Sequence, residues 1–122
     1  MGVRMNALSV GLAFNVVVLV PVLAGLLAAP RAMDRAFGPG DAPARRILGC
    51  VYAAILAASL ALLGAQAAGL AGADVPALTL FAVQIAYKLL TIPAVGLANP
   101  VVATNLLVVL VHAGSIAAWI MV

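Results

Sequence analysis

The chain has 122 residues, of which 67% are hydrophobic and only 7% are charged. A soluble domain carries about a quarter charged residues, so this composition excludes a water-facing surface over most of the molecule. The net charge of +3 comes from six basic and three acidic residues. Six basic residues are too few for a nucleic-acid surface. A single cysteine excludes an internal disulfide and a cysteine-based metal cluster.

Four apolar runs follow one another along the chain, at residues 5–29, 46–70, 76–98 and 100–122. Each reaches the roughly 20 residues that a helix needs to cross a hydrocarbon core of about 30 Å. The first run resembles a signal peptide, but its length and the Arg31 that closely follows favour an uncleaved span. The sequence therefore predicts a single all-α integral membrane domain over residues 1–122. We expect four transmembrane helices in an antiparallel, up-down bundle.

The ends of the spans carry helix signals. Asp74 is placed to cap the third span, and Asn99 is placed to cap the fourth, with Pro100 at its first helical position. Residues 96–100 then form a tight hairpin between spans three and four. The only substantial loop, residues 30–45, contains either a short surface helix over residues 31–37 or an ordinary polar turn.

Basic residues indicate how the spans are oriented. The first loop holds Arg31, Arg35, Arg45 and Arg46, whereas the opposite side holds only Arg4. Loops rich in Lys and Arg stay in the cytoplasm. We therefore expect the first loop in the cytoplasm and both termini outside, in an inner or plasma membrane.

Small residues recur at every fourth position of span two, and a shorter pattern occurs in span four. Helices in lipid associate through close backbone approach, which small residues allow. An alanine-rich helix also shows such a pattern by chance, and the pattern does not say whether the partner helix belongs to this chain. The predicted packing residues are Gly49, Ala53, Ala57, Ala61, Ala65 and Gly69, together with Gly114 and Ala118.

Several polar side chains occur within the apolar runs. Such groups usually face the interior of a helix bundle and are functional candidates by default. Counting from the hairpin places Lys88 and His112 at matching heights near mid-membrane, with Asn15 and Ser59 in the same layer. The candidate residues of a ligand site or ion path are Asn15, Gln84, Tyr87, Lys88, Asn105, His112 and Ser115.

No carboxylate lies inside a span, because Asp34, Asp41 and Asp74 fall in loops or at helix ends. Lys88 is then a neutral, hydrogen-bonded amine, or the partner of an anionic ligand, lipid phosphate or acid from another subunit, or it snorkels to the interface. His112 is more often a packing residue than a proton relay. With no cysteine or carboxylate nearby to complete a ligand shell, we expect no metal site, and we expect no cofactor.

Three functions fit these features. The sequence favours an accessory or assembly subunit that packs against other membrane subunits, or against itself, within the lipid bilayer. One alternative is a small homo-oligomeric transporter or channel with a polar site around Lys88 and His112. A second alternative is a lipid- or quinone-binding membrane protein. An enzyme is not expected, because the sequence offers no nucleophile–base pair, metal set or phosphate loop.

Overall fold

Helices account for every regular element in the part of the chain that the structure, a computed structural model, describes: residues 5–28, 30–39 and 43–122. Four of them are long and apolar enough to cross a membrane. This confirms the prediction of an all-α chain with four candidate spans. The elements are α1 (Ala7–Ala28), a 3₁₀ turn (Pro30–Met33), α2 (Asp34–Phe37), α3 (Pro43–Ala67), α4 (Asp74–Val95) and α5 (Pro100–Ile120).

The two predicted helix caps have different outcomes. Asn99 caps α5 as expected, since its Oδ1 accepts a hydrogen bond from the backbone N–H of Val101 at 2.9 Å. The prediction for Asp74 is wrong. The residue at the N-cap of α4 is Ala73, and Asp74 is the first residue of the helix. Its carboxylate is therefore free to reach the neighbouring helices.

The connections between helices are short. Gly96, with φ +95°, follows the last residue of α4, and its N–H donates to the carbonyl of Ile92. Residues 96–99 then lead directly into α5, and α4 and α5 pack against each other. In the first loop, α2 is a single helical turn whose Phe37 ring packs edge-on against Tyr52 of α3, with 6.1 Å between ring centroids. Arg4 and Asp41 lie outside the described residues.

This fold buries many polar side chains and exposes many large apolar ones. Ten polar or charged and nine hydrophobic residues are buried among the described residues, whereas twenty large apolar residues are exposed. Fully buried charged residues and a continuous exposed apolar surface are both rare in soluble domains. This arrangement is stable only when the surroundings are themselves apolar, which agrees with four membrane-crossing helices.

None of the small residues in the α3 pattern is fully buried against the other described helices. Gly49 and Ala65 are half-buried, and a Cβ added at Gly49 would meet no atom within 4 Å. The larger side chains of α3, such as Tyr52 and Ile55, are the ones that pack against α1. A packing role against another chain therefore stays a prediction. The exposed members of the pattern are Ala53, Ala57, Ala61, Gly69, Gly114 and Ala118.

Candidate functional site

One carboxylate connects all four long helices at one end of the molecule, which we call the Asp74 end. Asp74, in the first turn of α4, accepts hydrogen bonds from Asn6 Nδ2 at 3.0 Å, Gln66 Nε2 at 3.1 Å and Trp119 Nε1 at 3.2 Å. These donors are the residue that precedes α1, a residue near the end of α3 and a residue near the end of α5. The buried hydroxyl of Ser9 also donates to the Gln66 side chain. This contact set holds the four helix ends together.

A buried arginine organises the opposite end, which we call the Arg45 end. Arg45, at the start of α3, is only 4% exposed. Its guanidinium forms an ion pair with Asp34 at 2.6 Å and donates to the carbonyl of Gly38 at 2.8 Å. The amide of Asn99 donates to the carbonyl of Ala36 at 3.1 Å. The short α2 is thereby fixed to both α3 and α5.

A first polar cluster lies between these ends and is called the His112 cluster (Asn15, Ser59, Phe81 and His112). Asn15 Nδ2 donates to Ser59 Oγ at 3.1 Å, and His112 Nε2 donates to Asn15 Oδ1 at 2.8 Å. The His112 ring stacks on Phe81, with 4.4 Å between centroids and 11° between planes. Each of the four long helices thus contributes one side chain to this cluster.

A second polar cluster lies nearer the Arg45 end and is called the Lys88 cluster (Tyr87, Lys88, Thr91 and Asn105). Lys88 Nζ donates to Asn105 Oδ1 at 3.0 Å and lies 4.8 Å from the centroid of the Tyr87 ring. Asn105 Nδ2 donates to Thr91 Oγ1 at 3.3 Å, and that hydroxyl donates to the carbonyl of Lys88. Lys88 is 5% exposed. Its side chain therefore turns toward α5 and is buried within the chain.

The expectation of one polar layer that unites Lys88 and His112 is wrong. Lys88 bonds to Asn105, which lies two helical turns, or about 10 Å, from His112 along α5. The count assumed that the third span extends to residue 98, whereas α4 ends at Val95. Lys88 consequently lies closer to the Arg45 end than the sequence suggested.

Two further candidate residues, Gln84 and Ser115, are buried as well. Among the buried side-chain atoms of the described residues, Gln84 Nε2, Tyr87 Oη and His112 Nδ1 have no hydrogen-bond partner. An unsatisfied polar group in a membrane interior is costly. These atoms lie on α4 and α5, which also carry residues of the two clusters. The interior therefore contains polar atoms that are not hydrogen-bonded within the described residues.

A cleft of about 200 Å³ opens beside the Lys88 cluster, between α1 and α5. Lys88 and Asn105 form its polar wall, and the exposed Thr104 lies at its edge. Phe37 and Tyr52 close it toward α2. The remaining lining is mainly apolar and includes Val18, Leu19, Val22, Val101 and Val108. A second cleft, of about 350 Å³, shares Phe37, Tyr52 and Asn105 with the first.

No protein-family model, curated protein or solved structure matches this chain. In the described part of the chain, no group of three or more His, Cys, Asp or Glu side chains is placed to hold a metal ion. What the site does offer is a lysine amine and an amide at the base of an apolar cleft.

Several site residues were missed by the sequence reasoning. Gln66 lies seven residues after Ser59 and therefore on the same face of α3, and Thr91 lies one turn after Lys88. Both positions could have been found by extending the polar faces. Arg45 and Asp74 could not, because charged residues at the end of a span are ordinarily assigned to water or lipid head groups.

Proposed function

We propose that this chain is an integral membrane protein that binds a lipid-soluble amphiphile in the cleft between α1 and α5. The observation that carries this proposal is Lys88, a buried amine that lines a largely apolar cleft. Ligand sites typically combine apolar walls with a few placed polar groups that orient the ligand. In a membrane, a cleft between two spans receives ligands from the lipid phase.

The proposed arrangement is an antiparallel, up-down bundle with the first loop in the cytoplasm and both termini outside. It is supported by the contacts at the Asp74 end, where the starts of α1 and α4 meet the ends of α3 and α5. In this orientation the Arg45 end is cytoplasmic. The cleft then lies in the cytoplasmic half of the membrane.

Ligand binding fits the geometry better than the other two functions. In a subunit role the polar groups act only as contacts between helices. Such a role does not explain the cleft beside Lys88. A transport path would need polar groups that line a continuous route across the membrane. Here the His112 cluster and the Lys88 cluster are separate and lie about 10 Å apart along α5.

A photoactivatable fatty alcohol tests this proposal, because it is neutral and does not depend on the charge of the site. The purified protein is reconstituted in phosphatidylcholine vesicles with the probe, irradiated, and digested for mass spectrometry. We expect labels concentrated on the segments of α1 and α5 that line the cleft. Val18→Phe fills the cleft and should reduce this labelling several-fold. The matched control Val17→Phe adds the same ring on the same helix at a position that is 68% exposed.

Uniform labelling of all exposed helix faces, with no difference between the two variants, would contradict the proposal. Labelling confined to the cleft in the Val17→Phe control and lost in Val18→Phe would support it, because both variants place an extra phenyl group on α1 and differ only in the direction it faces.

A second function, that of a subunit in a larger membrane complex, is favoured by the outward face of α3. Ala53, Ala57 and Ala61 expose a narrow strip of small side chains that suits another helix. Ala57→Leu would then reduce co-purification of a stoichiometric partner chain, or self-association. Ala54→Leu, the same change at an exposed position outside the strip, is the control. Equal behaviour of the two variants would count against this role.

A further inference from the structure

The charge of Lys88 is not balanced by any described residue. The Asp34 carboxylate pairs with Arg45, and Asp74 is occupied at the opposite end of the molecule by Trp119 and other donors. The contacts of the Lys88 amine are an amide oxygen and an aromatic ring, both of them neutral. A buried ammonium without a counter-charge is costly in a membrane. An anionic group that reaches the cleft from outside the chain would stabilise the ammonium form of Lys88.

The Lys88 amine also has unused hydrogen-bonding capacity. An ammonium has three N–H donors, and in the described residues Nζ makes one hydrogen bond, to Asn105 Oδ1. Lys88 and Asn105 both line the cleft. A ligand oxygen that enters the cleft can accept a charge-assisted hydrogen bond from Nζ without displacing Asn105. The cleft thus leads to a donor that is already held in place.

The size and walls of the cleft restrict the rest of the ligand. Sites that enclose a drug-sized molecule run from about 300 to 1,000 Å³, whereas this cleft is about 200 Å³. A cleft of this size suits a head group and part of one acyl chain. The wall formed by Val18, Leu19 and Val22 suits an acyl chain. A single ammonium matches the single charge of a carboxylate better than the higher charge of a phosphate monoester.

We infer that the ligand is a single-chain amphiphile with a carboxylate head, of the fatty-acid class, and that the Lys88 ammonium binds that carboxylate. This inference rests on the proposed function, since it names the head group that the cleft recognises. Lys88 is then a specificity-determining residue, and the apolar walls supply affinity for any chain of suitable length.

Paired probes separate the contribution of the head group from that of the chain. A photoactivatable fatty acid and the fatty alcohol of the same chain are each titrated into protein-containing phosphatidylcholine vesicles. We expect the acid to half-saturate cleft labelling at about a tenfold lower concentration than the alcohol, as one charge-assisted hydrogen bond implies. Lys88→Met should raise the half-saturating concentration of the acid about tenfold and that of the alcohol by clearly less, because the hydroxyl forms a weaker hydrogen bond with Nζ. Lys88→Arg, which keeps the charge, should preserve a preference for the acid.

The outcomes are distinguishable. Two outcomes would overturn the inference and leave the proposed function standing. One is that acid and alcohol half-saturate the labelling of the unmodified protein at equal concentrations. The other is that the preference for the acid survives in Lys88→Met. Failure of both probes to label the cleft would overturn both. If Lys88→Met loses both probes through misfolding, the comparison of acid with alcohol in the unmodified protein decides. A single-chain phosphate that competes better than the acid would refute the carboxylate assignment.

Discussion

Lys88 Nζ and Asn105 Oδ1 lie 3.0 Å apart, and this hydrogen bond directs the only lysine of the chain toward α5. Without the Asn105 carbonyl, the flexible lysine side chain would have no fixed partner on that helix. Asn105 also donates to Thr91, so a single amide connects two residues of α4. The position of the amine in the cleft depends on this amide.

Replacing Asn105 should therefore destabilise the fold. Asn105→Leu keeps the branched shape of the side chain, although leucine is larger, and removes both hydrogen bonds. We expect a loss of about 1–3 kcal/mol in the free energy of unfolding. Thermal unfolding in detergent measures it. Thr104→Val, an exposed neighbour with the same loss of polarity, should change little. Equal effects of the two substitutions would show that the Asn105 amide does not hold Lys88.

Gly11 marks the closest approach of α1 to the interior. A Cβ at this position would lie 2.6 Å from Phe81 Cζ and 3.0 Å from Ser115 Oγ. Gly11→Ala is therefore expected to displace the ring that stacks on His112 and to lower the unfolding temperature, at a cost of about 1–3 kcal/mol.

The control for this clash is Gly64→Ala, where an added Cβ would meet no atom within 4 Å. Alanine is favoured over glycine inside a helix by about 0.5–1 kcal/mol. Gly64→Ala should accordingly be neutral or stabilising. A stabilising Gly11→Ala would contradict the packing of α1 against Phe81.

Asp74 gives a prediction with an optical readout. Trp119 is the only tryptophan, and its Nε1 donates to the Asp74 carboxylate. Asp74→Ala removes an acceptor shared by three helices, so we expect lower thermal stability and a shifted tryptophan emission maximum. Asp34→Ala alters the opposite end and should leave the emission unchanged. An emission maximum that is the same in Asp74→Ala would show that Trp119 does not depend on this carboxylate.

Neighbouring substitutions in α3 distinguish its two faces. Leu56 packs against the cluster of Leu19, Tyr52 and Ile55, whereas Ala57 is exposed. Leu56→Ala should lower the stability of the isolated chain by about 1–2 kcal/mol, less than a fully buried leucine would cost. Ala57→Leu should be near neutral in the same unfolding measurement. The reverse order would place the small-residue face inside the fold.

The small-residue pattern by itself suggests the opposite order, because it marks Ala57 as a packing residue. The four spans were predictable because about 20 consecutive apolar residues have few other stable structures. The burial of Asn15, Lys88 and His112 was also predictable, since polar groups avoid lipid. The sequence could not predict which face of the alanine-rich α3 packs against the other helices, because alanine is compatible with both lipid and close helix contact.

The hydrogen-bond partners of the buried polar residues could not be predicted from the sequence either. Counting residues from the turn placed Lys88 at the same height as His112. The third span, α4, ends three residues earlier than predicted, and Lys88 instead forms a hydrogen bond with Asn105. Side-chain pairing depends on helix ends and on rotation about the helix axis. Neither is encoded in the count of residues from a turn.

The most direct test of the central claim is native mass spectrometry of the protein released from its own membrane in lipid nanodiscs. The account predicts a species carrying one single-chain amphiphile, retained in Val17→Phe and lost in Val18→Phe. A protein that carries no such adduct, or one that keeps it equally in both variants, would contradict a binding site in the cleft between α1 and α5.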